Sequence, residues 1–146
     1  MKFRFVWVGK TKDPNWKSLQ EDYLSRLSHF VRTEIVELKD GTKDSEGKLI
    51  LQKLNQSPFV CVLDVAGRQV SSVGLADEIE NWQNRGLKEI SFVIGGAEGV
   101  SSAVVQMADN SLSLSFLTFT HEMARVVLLE QLYRAFTIIK GFPYQK

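Results

Sequence analysis

Short, continuous apolar runs alternate along this chain with longer stretches in which apolar residues recur every three or four positions, the pattern of strands interleaved with amphipathic helices. FRFVWV, residues 3–8, predicts a first strand. Asp13 followed by Pro14 supplies an N-cap and a proline at the first helical position, which predicts a helix through about His29. RTEIVELK, 32–39, alternates as a partly exposed strand, and DGTKDSEG follows as a charged, glycine-punctuated loop. A helix from about Ser45 to Asn55 leads into FVCVLDV, 59–65, a buried strand that ends in the turn AGRQ. Ser71 and Ser72 cap a helix carrying Leu75, Ile79 and Trp82 at helical spacing and ending near Gly86. EISFVIG, 89–95, predicts the next buried strand, Val100 to Met107 a short helix, and SLSLS, 111–115, a last strand; HEMARVVLLEQLYRAFTIIKG then closes the chain as a long helix. Strands so rich in Val, Ile and Leu predict an α/β fold whose mostly parallel sheet has helices on both faces.

Two stretches carry candidate chemistry. In FVIGGAEGV, 92–100, an apolar strand stops at Gly95, Gly96 and Gly99. Open α/β sheets bind ligands beyond the carboxyl ends of their strands, and glycines there let backbone approach a ligand or take positive φ. A plain tight turn into the next helix accounts for the same cluster. GGAEG lacks the G-x-G-x-x-G spacing and no G-K-[ST] follows, so a pyrophosphate is disfavoured while a nucleoside or adenosyl group fits. The second stretch, 111–136, runs from the serine–leucine strand through Thr118, Thr120 and His121 into a helix presenting Arg125, Glu130 and Arg134. Its apolar stripe, with Val126, Leu128, Leu129, Leu132, Tyr133 and Phe136, is too wide for one sheet face and predicts a second subunit over part of it.

Composition narrows the partners. The 146 residues, 44% hydrophobic, predict one domain over 1–146. No apolar stretch approaches the ~20 residues of a membrane span, and MKFRFVWVG lacks a cleavable leader, so a cytoplasmic protein without membrane contact is expected. The lone Cys61 sits in an apolar strand and reads as a buried thiol. A net charge of +1 conceals a gradient: residues 1–57 carry 11 basic and 8 acidic side chains, residues 58–110 carry 3 and 7, and residues 111–146 carry 4 and 2. Any polyanion is therefore met locally or by an assembled dimer.

IGGAEG, SLSFLTFTHEMARVVLLEQLYRAF and the terminal FPYQK, with FVWVGK and VLDVAG in order before them, resemble the ribosomal RNA large-subunit methyltransferase H family, minimal members of the SPOUT class. The resemblance implies an α/β sheet with a C-terminal trefoil knot that forms the cofactor pocket, and a homodimer packed through the knotted helices. It implies methyl transfer from S-adenosylmethionine to N3 of a pseudouridine in large-subunit ribosomal RNA, on assembled ribosomes, with no metal. Cofactor contacts then fall at Leu63, at Gly95 and Gly96, and along Leu114, Ser115, Phe116, Leu117, Thr118 and Phe119, with the two glycines admitting the cofactor against bare backbone.

His121 is the candidate proton acceptor, with a polar helix start as its alternative. Arg134 is implied to hold substrate phosphate or to lower N3 proton affinity, its alternative being an ion pair with Glu130 at i, i−4. Tyr144 lies in the tail that in this family reaches the active site. Where the family commonly continues with histidine and arginine, this chain has Gln145 and Lys146, which moves proton acceptance to His121 or to solvent. A knotted dimer that binds ribosomal RNA or an adenosyl ligand without turnover is the second reading, and a monomeric, flavodoxin-type nucleotide-binding sheet the third.

Overall fold

Strands and helices alternate from end to end in the computed structural model, which describes residues 1–144: β1 (Lys2–Val8), α1 (Pro14–Leu27), β2 (Arg32–Leu38), α2 (Lys43–Leu54), β3 (Val60–Arg68), α3 (Ser72–Asn84), β4 (Glu89–Ile94), α4 (Ser102–Met107), β5 (Asn110–Leu112) and α5 (His121–Lys140). Gln145 and Lys146 lie outside the described residues. Each helix starts on a side-chain cap that satisfies an otherwise orphan amide. Asp13 accepts from Asn15 N–H at 2.8 Å, Thr42 from Ser45 at 3.1 Å, Ser71 from Gly74 at 2.9 Å, Ser101 from Val104 at 3.4 Å and Thr120 from Met123 at 3.3 Å. At the other end of α5, Gly141 adopts φ 73°, the left-handed conformation that stops a helix without a Cβ clash.

All strand pairs are parallel, in the order β2-β1-β4-β3-β5. Alternation along the strands sends different side chains to the two faces. Phe3, Phe5, Trp7, Cys61, Phe92 and Ile94 pack under α1, α3 and α5, against Leu27, Ile79, Trp82 and Leu132. Val6, Val8, Val60, Val62 and Val93 meet Ile50 and Leu54 of α2 and Val104 of α4 on the other face. The aromatic face thus carries three helices and the valine face two. Burial drives the Cys61 thiol up to about 12, which keeps it protonated and inert.

Three expectations change. The turn at AGRQ is instead a bulge: Leu63 and Arg68 both pair with Leu112, so residues 64–67 swing out of the ladder while the strand runs on to Arg68. The last strand is three residues long, not five: β5 is an edge strand with β3 as its neighbour, Ser113 N–H still reaches the Arg68 carbonyl at 2.9 Å where β3 ends, and among the described residues Leu114 and Ser115 find no β3 partner beyond it. The wide apolar stripe of α5 is covered within the chain. Leu128, Leu129, Leu132, Ala135 and Phe136 are all buried, with α1 and α3 packed on either side of the helix.

Candidate cofactor and substrate site

The carboxyl ends of β3, β4 and β5 converge on a cavity of about 610 Å³. Leu63, Gly95, Gly96, Leu114, Ser115, Leu117, Thr118 and Phe119 line it, and His121 stands at its edge with Ala124 one turn on. Phe116 does not; it is 69% exposed beside Leu117, itself 76% exposed. Asp64 and Val65 join the lining from the bulge, a contribution the strand-and-turn reading missed. Gly67 was the available signal: a Cβ there would stand 2.8 Å from Ser111 Oγ and 3.0 Å from the Leu112 carbonyl carbon, so only glycine lets the bulge lie on β5.

The glycines serve the loop's own packing. A Cβ on Gly95 would lie 2.5 Å from the Gly99 carbonyl group, and one on Gly96 would lie 2.8 and 3.0 Å from the Glu46 carboxylate oxygens. Gly99 takes φ +81°, and its N–H closes the turn on the Gly96 carbonyl at 3.0 Å. Close approach of the protein's own atoms is thus by itself a reason for glycine at both positions, beside the space for a cofactor that the resemblance implies. The resulting curl still forms one wall of the cavity.

The opposite wall is the segment from Ser113 to Thr120, which has left the sheet. Among the described residues, the only backbone amide from Leu114 to Phe119 with a partner is that of Leu117, which donates to Ser115 Oγ at 3.0 Å. Amides left open beside an apolar cavity are what a heteroaromatic edge requires. The volume, the apolar lining and this run of bare peptide fit a nucleoside group.

His121 is half-buried at the start of α5. Burial, and next the cation of Arg125, hold its imidazole below the ordinary histidine range, against the smaller opposing pull of Glu122 and Glu46; Lys12 adds to the lowering. The ring is therefore neutral at physiological pH and can accept a proton. Arg125, to which no role was assigned beforehand, fixes this end of the helix. It is fully buried, and Nη1 donates to Thr11 Oγ1 at 2.9 Å while Nη2 donates to the carbonyls of Val8 at 2.6 Å and Gly9 at 3.1 Å. Its Cζ lies 4.7 Å from the Trp7 ring centroid. Burial lowers its proton affinity to about 10, so it stays charged. Glu122 adds a second tie by accepting the amides of Lys12 and, at 3.3 Å, Asp13. The legible signal was His121 and Arg125 at i, i+4.

Arg134 and Tyr144 lie elsewhere. Arg134 is ion-paired with Glu130, its Nε donating to Oε1 at 3.0 Å, and that hydrogen bond raises its proton affinity. Tyr144 donates to the same Glu130 oxygen at 3.0 Å and packs edge-on against Tyr133, their ring centroids 4.8 Å apart. Burial, then its hydrogen bonds to Tyr23 and Glu130, push the phenol upward, so it remains neutral. Arg134 follows His121 by thirteen positions on one helix, roughly 20 Å of rise. One chain does not bring the two groups of candidate residues together.

Comparison with known proteins agrees with this geometry. Residues 1–145 match a family model described as "Predicted SPOUT methyltransferase". The chain is 41% identical over 153 residues to ribosomal RNA large subunit methyltransferase H of Desulfotalea psychrophila, covering all of both proteins. With the protein of that name from Christiangramia forsetii it shares 42% identity, over 99% of this chain and 98% of the other. The fold is similar to a probable methylase family protein from Haemophilus influenzae Rd KW20, with a TM-score of 0.61 at 11% identity over 99% of this chain and 70% of that one. A probable methyltransferase from Bordetella pertussis Tohama I gives 0.59 at 9% identity, over 91% and 95%. With its full length matched and its open-amide cavity at the ends of three parallel strands, the chain belongs to the ribosomal RNA large subunit methyltransferase H family of SPOUT methyltransferases.

Proposed function

We propose that this protein transfers a methyl group from S-adenosylmethionine to N3 of a pseudouridine in large-subunit ribosomal RNA, as a cytoplasmic homodimer acting on assembled ribosomes. The observation that carries the reading is the cavity walled by Leu63, the Gly95–Gly99 curl and the unpaired amides of the 114–119 segment. The resemblance's trefoil knot belongs to the same reading, in which that segment is threaded to make the pocket. The bound cofactor supplies an electrophilic methyl on a sulfonium. Leu63 and Leu117 would flank the adenosyl group, with the open amides reading its edge. The chain's main contribution is then to hold an acceptor nitrogen in line with that methyl. Neutral His121, at the cavity's edge, would accept the N3 proton.

Arg134, about 20 Å along α5 from His121, and Tyr144, beyond the helix but held against Glu130 and Tyr133 near Arg134, are too far from the cavity of their own chain to serve it. In a dimer with antiparallel α5 helices they would serve the partner's, with Arg134 released from Glu130 to meet phosphate. That spacing, rather than an uncovered apolar stripe, supports the homodimer. Calorimetric titration with S-adenosylmethionine, light scattering and methyl incorporation into pseudouridylated ribosomes test the reading together. We expect a dimer that binds the cofactor and transfers the methyl. Cofactor binding without transfer would favour the non-catalytic binder, a reading that the occupied state of Arg134 suits; a monomer would remove the role given to Arg134 and Tyr144.

A further inference from the structure

A second cavity of about 400 Å³ lies directly against the first, with Gly96, Ala97 and His121 forming part of the wall of both. Its remaining walls come from the β1–α1 loop (Gly9, Lys10, Lys12), the loop into α2 (Asp40, Gly41, Lys43) and Glu46. Glu46 is unusual in this setting. It is a carboxylate only 6% exposed, in the first turn of α2, and among the described residues it has no cationic partner. Oε2 accepts the Gly41 N–H at 3.0 Å, and among the described residues no hydrogen bond reaches Oε1, which is not fully sealed from the crevice. The missing side chain at Gly96 lets this carboxylate come against the shared wall, both oxygens lying within 3.0 Å of where a Cβ would be. An ionised carboxylate can only accept, and one this buried with an open oxygen calls for an N–H donor.

We infer that this crevice seats the target base and that Glu46 accepts its N1–H, which makes Glu46 the residue that distinguishes pseudouridine from uridine. The inference rests on the proposed function, which places N3 toward the cofactor cavity. With N3 committed to the methyl, a pseudouridine ring retains one further donor, N1–H. Uridine has no N–H there, because its N1 carries the ribose, and it offers the carboxylate only carbon-bound hydrogens or carbonyl oxygens that the charge repels. Four carboxylates against three lysines around the crevice suit a base better than a phosphate: Glu46 is buried and Glu122 half-buried, while Asp40 and Glu98 are exposed, as are Lys10, Lys12 and Lys43, along which a phosphodiester would pass. A site built to hydrogen-bond a polar group discriminates strongly against an analogue lacking it, since its own buried group is then left unpaired.

The test uses Glu46→Gln, which keeps the shape and an acceptor for Gly41 N–H, and the exposed pair Lys10→Ala with Lys12→Ala, which leaves the core untouched. Transfer to ribosomes with pseudouridine or uridine at the target position is measured alongside S-adenosylmethionine affinity. For Glu46→Gln, kcat/KM on the pseudouridine substrate should fall roughly ten-fold or more, with the uridine rate and cofactor affinity held within about two-fold, so that the preference collapses. The lysine pair should raise KM for ribosomes and reduce the slope of log K against log salt concentration by about one for each lysine removed. An unchanged preference, or a parallel loss of cofactor affinity, overturns the inference. Binding of pseudouridine and uridine 5′-monophosphates to the wild type and to Glu46→Gln is followed by NMR as an independent arm. If the wild type transfers no methyl yet prefers pseudouridine monophosphate through Glu46, the proposed function fails and the crevice assignment stands. Equal binding of the two nucleotides sinks the crevice assignment alone.

Discussion

The two ends of α5 use the same residue type in opposite ways. At the first turns, Arg125 is fully buried and directs its guanidinium into the β1–α1 loop, fixing Val8, Gly9 and Thr11 beside the site. Near the last turns, Arg134 is partly exposed and held by a carboxylate one turn back on its own helix. A buried guanidinium bound to fixed carbonyls has no cheap alternative arrangement. An i, i+4 surface pair contributes only about 0.3–0.5 kcal/mol and can exchange partners at little cost. The first end is thus architecture, and the second is a cation available for something outside the chain.

Arg125→Met should break the comparison hardest. It leaves the Val8 and Gly9 carbonyls without their donor in the core and should cost about 2–4 kcal/mol of folding stability, read as a lower urea midpoint. A loss below ~0.5 kcal/mol would show that the buried arginine does not anchor the loop. Arg134→Ala should do the reverse: stability moves by less than ~0.5 kcal/mol and cofactor affinity stays put, while methyl transfer falls about 100-fold. Equal loss of affinity and transfer would place Arg134 on the cofactor, contrary to its position. Gly95→Val forces a branched side chain into the Gly99 backbone and should cost roughly 1–3 kcal/mol in a thermal melt, with weakened cofactor binding from the distorted wall. Unchanged melting and affinity would mean the curl is free to relax.

The smallest effect is that of pH at His121. Its folded-state proton affinity is lowered by burial and by Arg125, so near pH 6.5 the unfolded chain binds more protons than the folded one. Stability from this residue is therefore complete above about pH 6.5 and is lost as pH falls through the lower folded value. His121→Gln should flatten that part of the stability curve. NMR titration should find the His121 ring below its ordinary midpoint, and a midpoint at or above 6.5 would contradict the assigned environment.

The strand–helix alternation, the parallel sheet and the caps at Asp13 and Ser71 were legible because periodicity and capping are local properties, read within one or two turns. Most of the cavity was legible too: Leu63, Gly95, Gly96 and the 114–119 run, Phe116 apart, sit at strand ends, where an open sheet places its ligands. The bulge at 64–67 was not, since whether a strand continues depends on which residue of β5 pairs with it. Nor was the packing reason for the glycines, because Gly95 meets Gly99 and Gly96 meets Glu46 only after the chain has folded back. The stripe on α5 misled for a related cause. Apolar width along a helix reports how much surface must be covered, not whose surface covers it.

What the sequence determined by itself is the alternating order of elements, the apolar faces that bury the sheet and the family to which the motifs point, all of which follow from spacing along one dimension. Only the tertiary structure decided that Arg125 belongs to the core and Arg134 to the surface, that a second crevice adjoins the cavity, and that a buried carboxylate faces into it. Arg125 and Thr11 are 114 positions apart in the chain, yet their side chains lie 2.9 Å apart in the fold. Contacts of that range depend on how helices and strands stack, which no local pattern specifies.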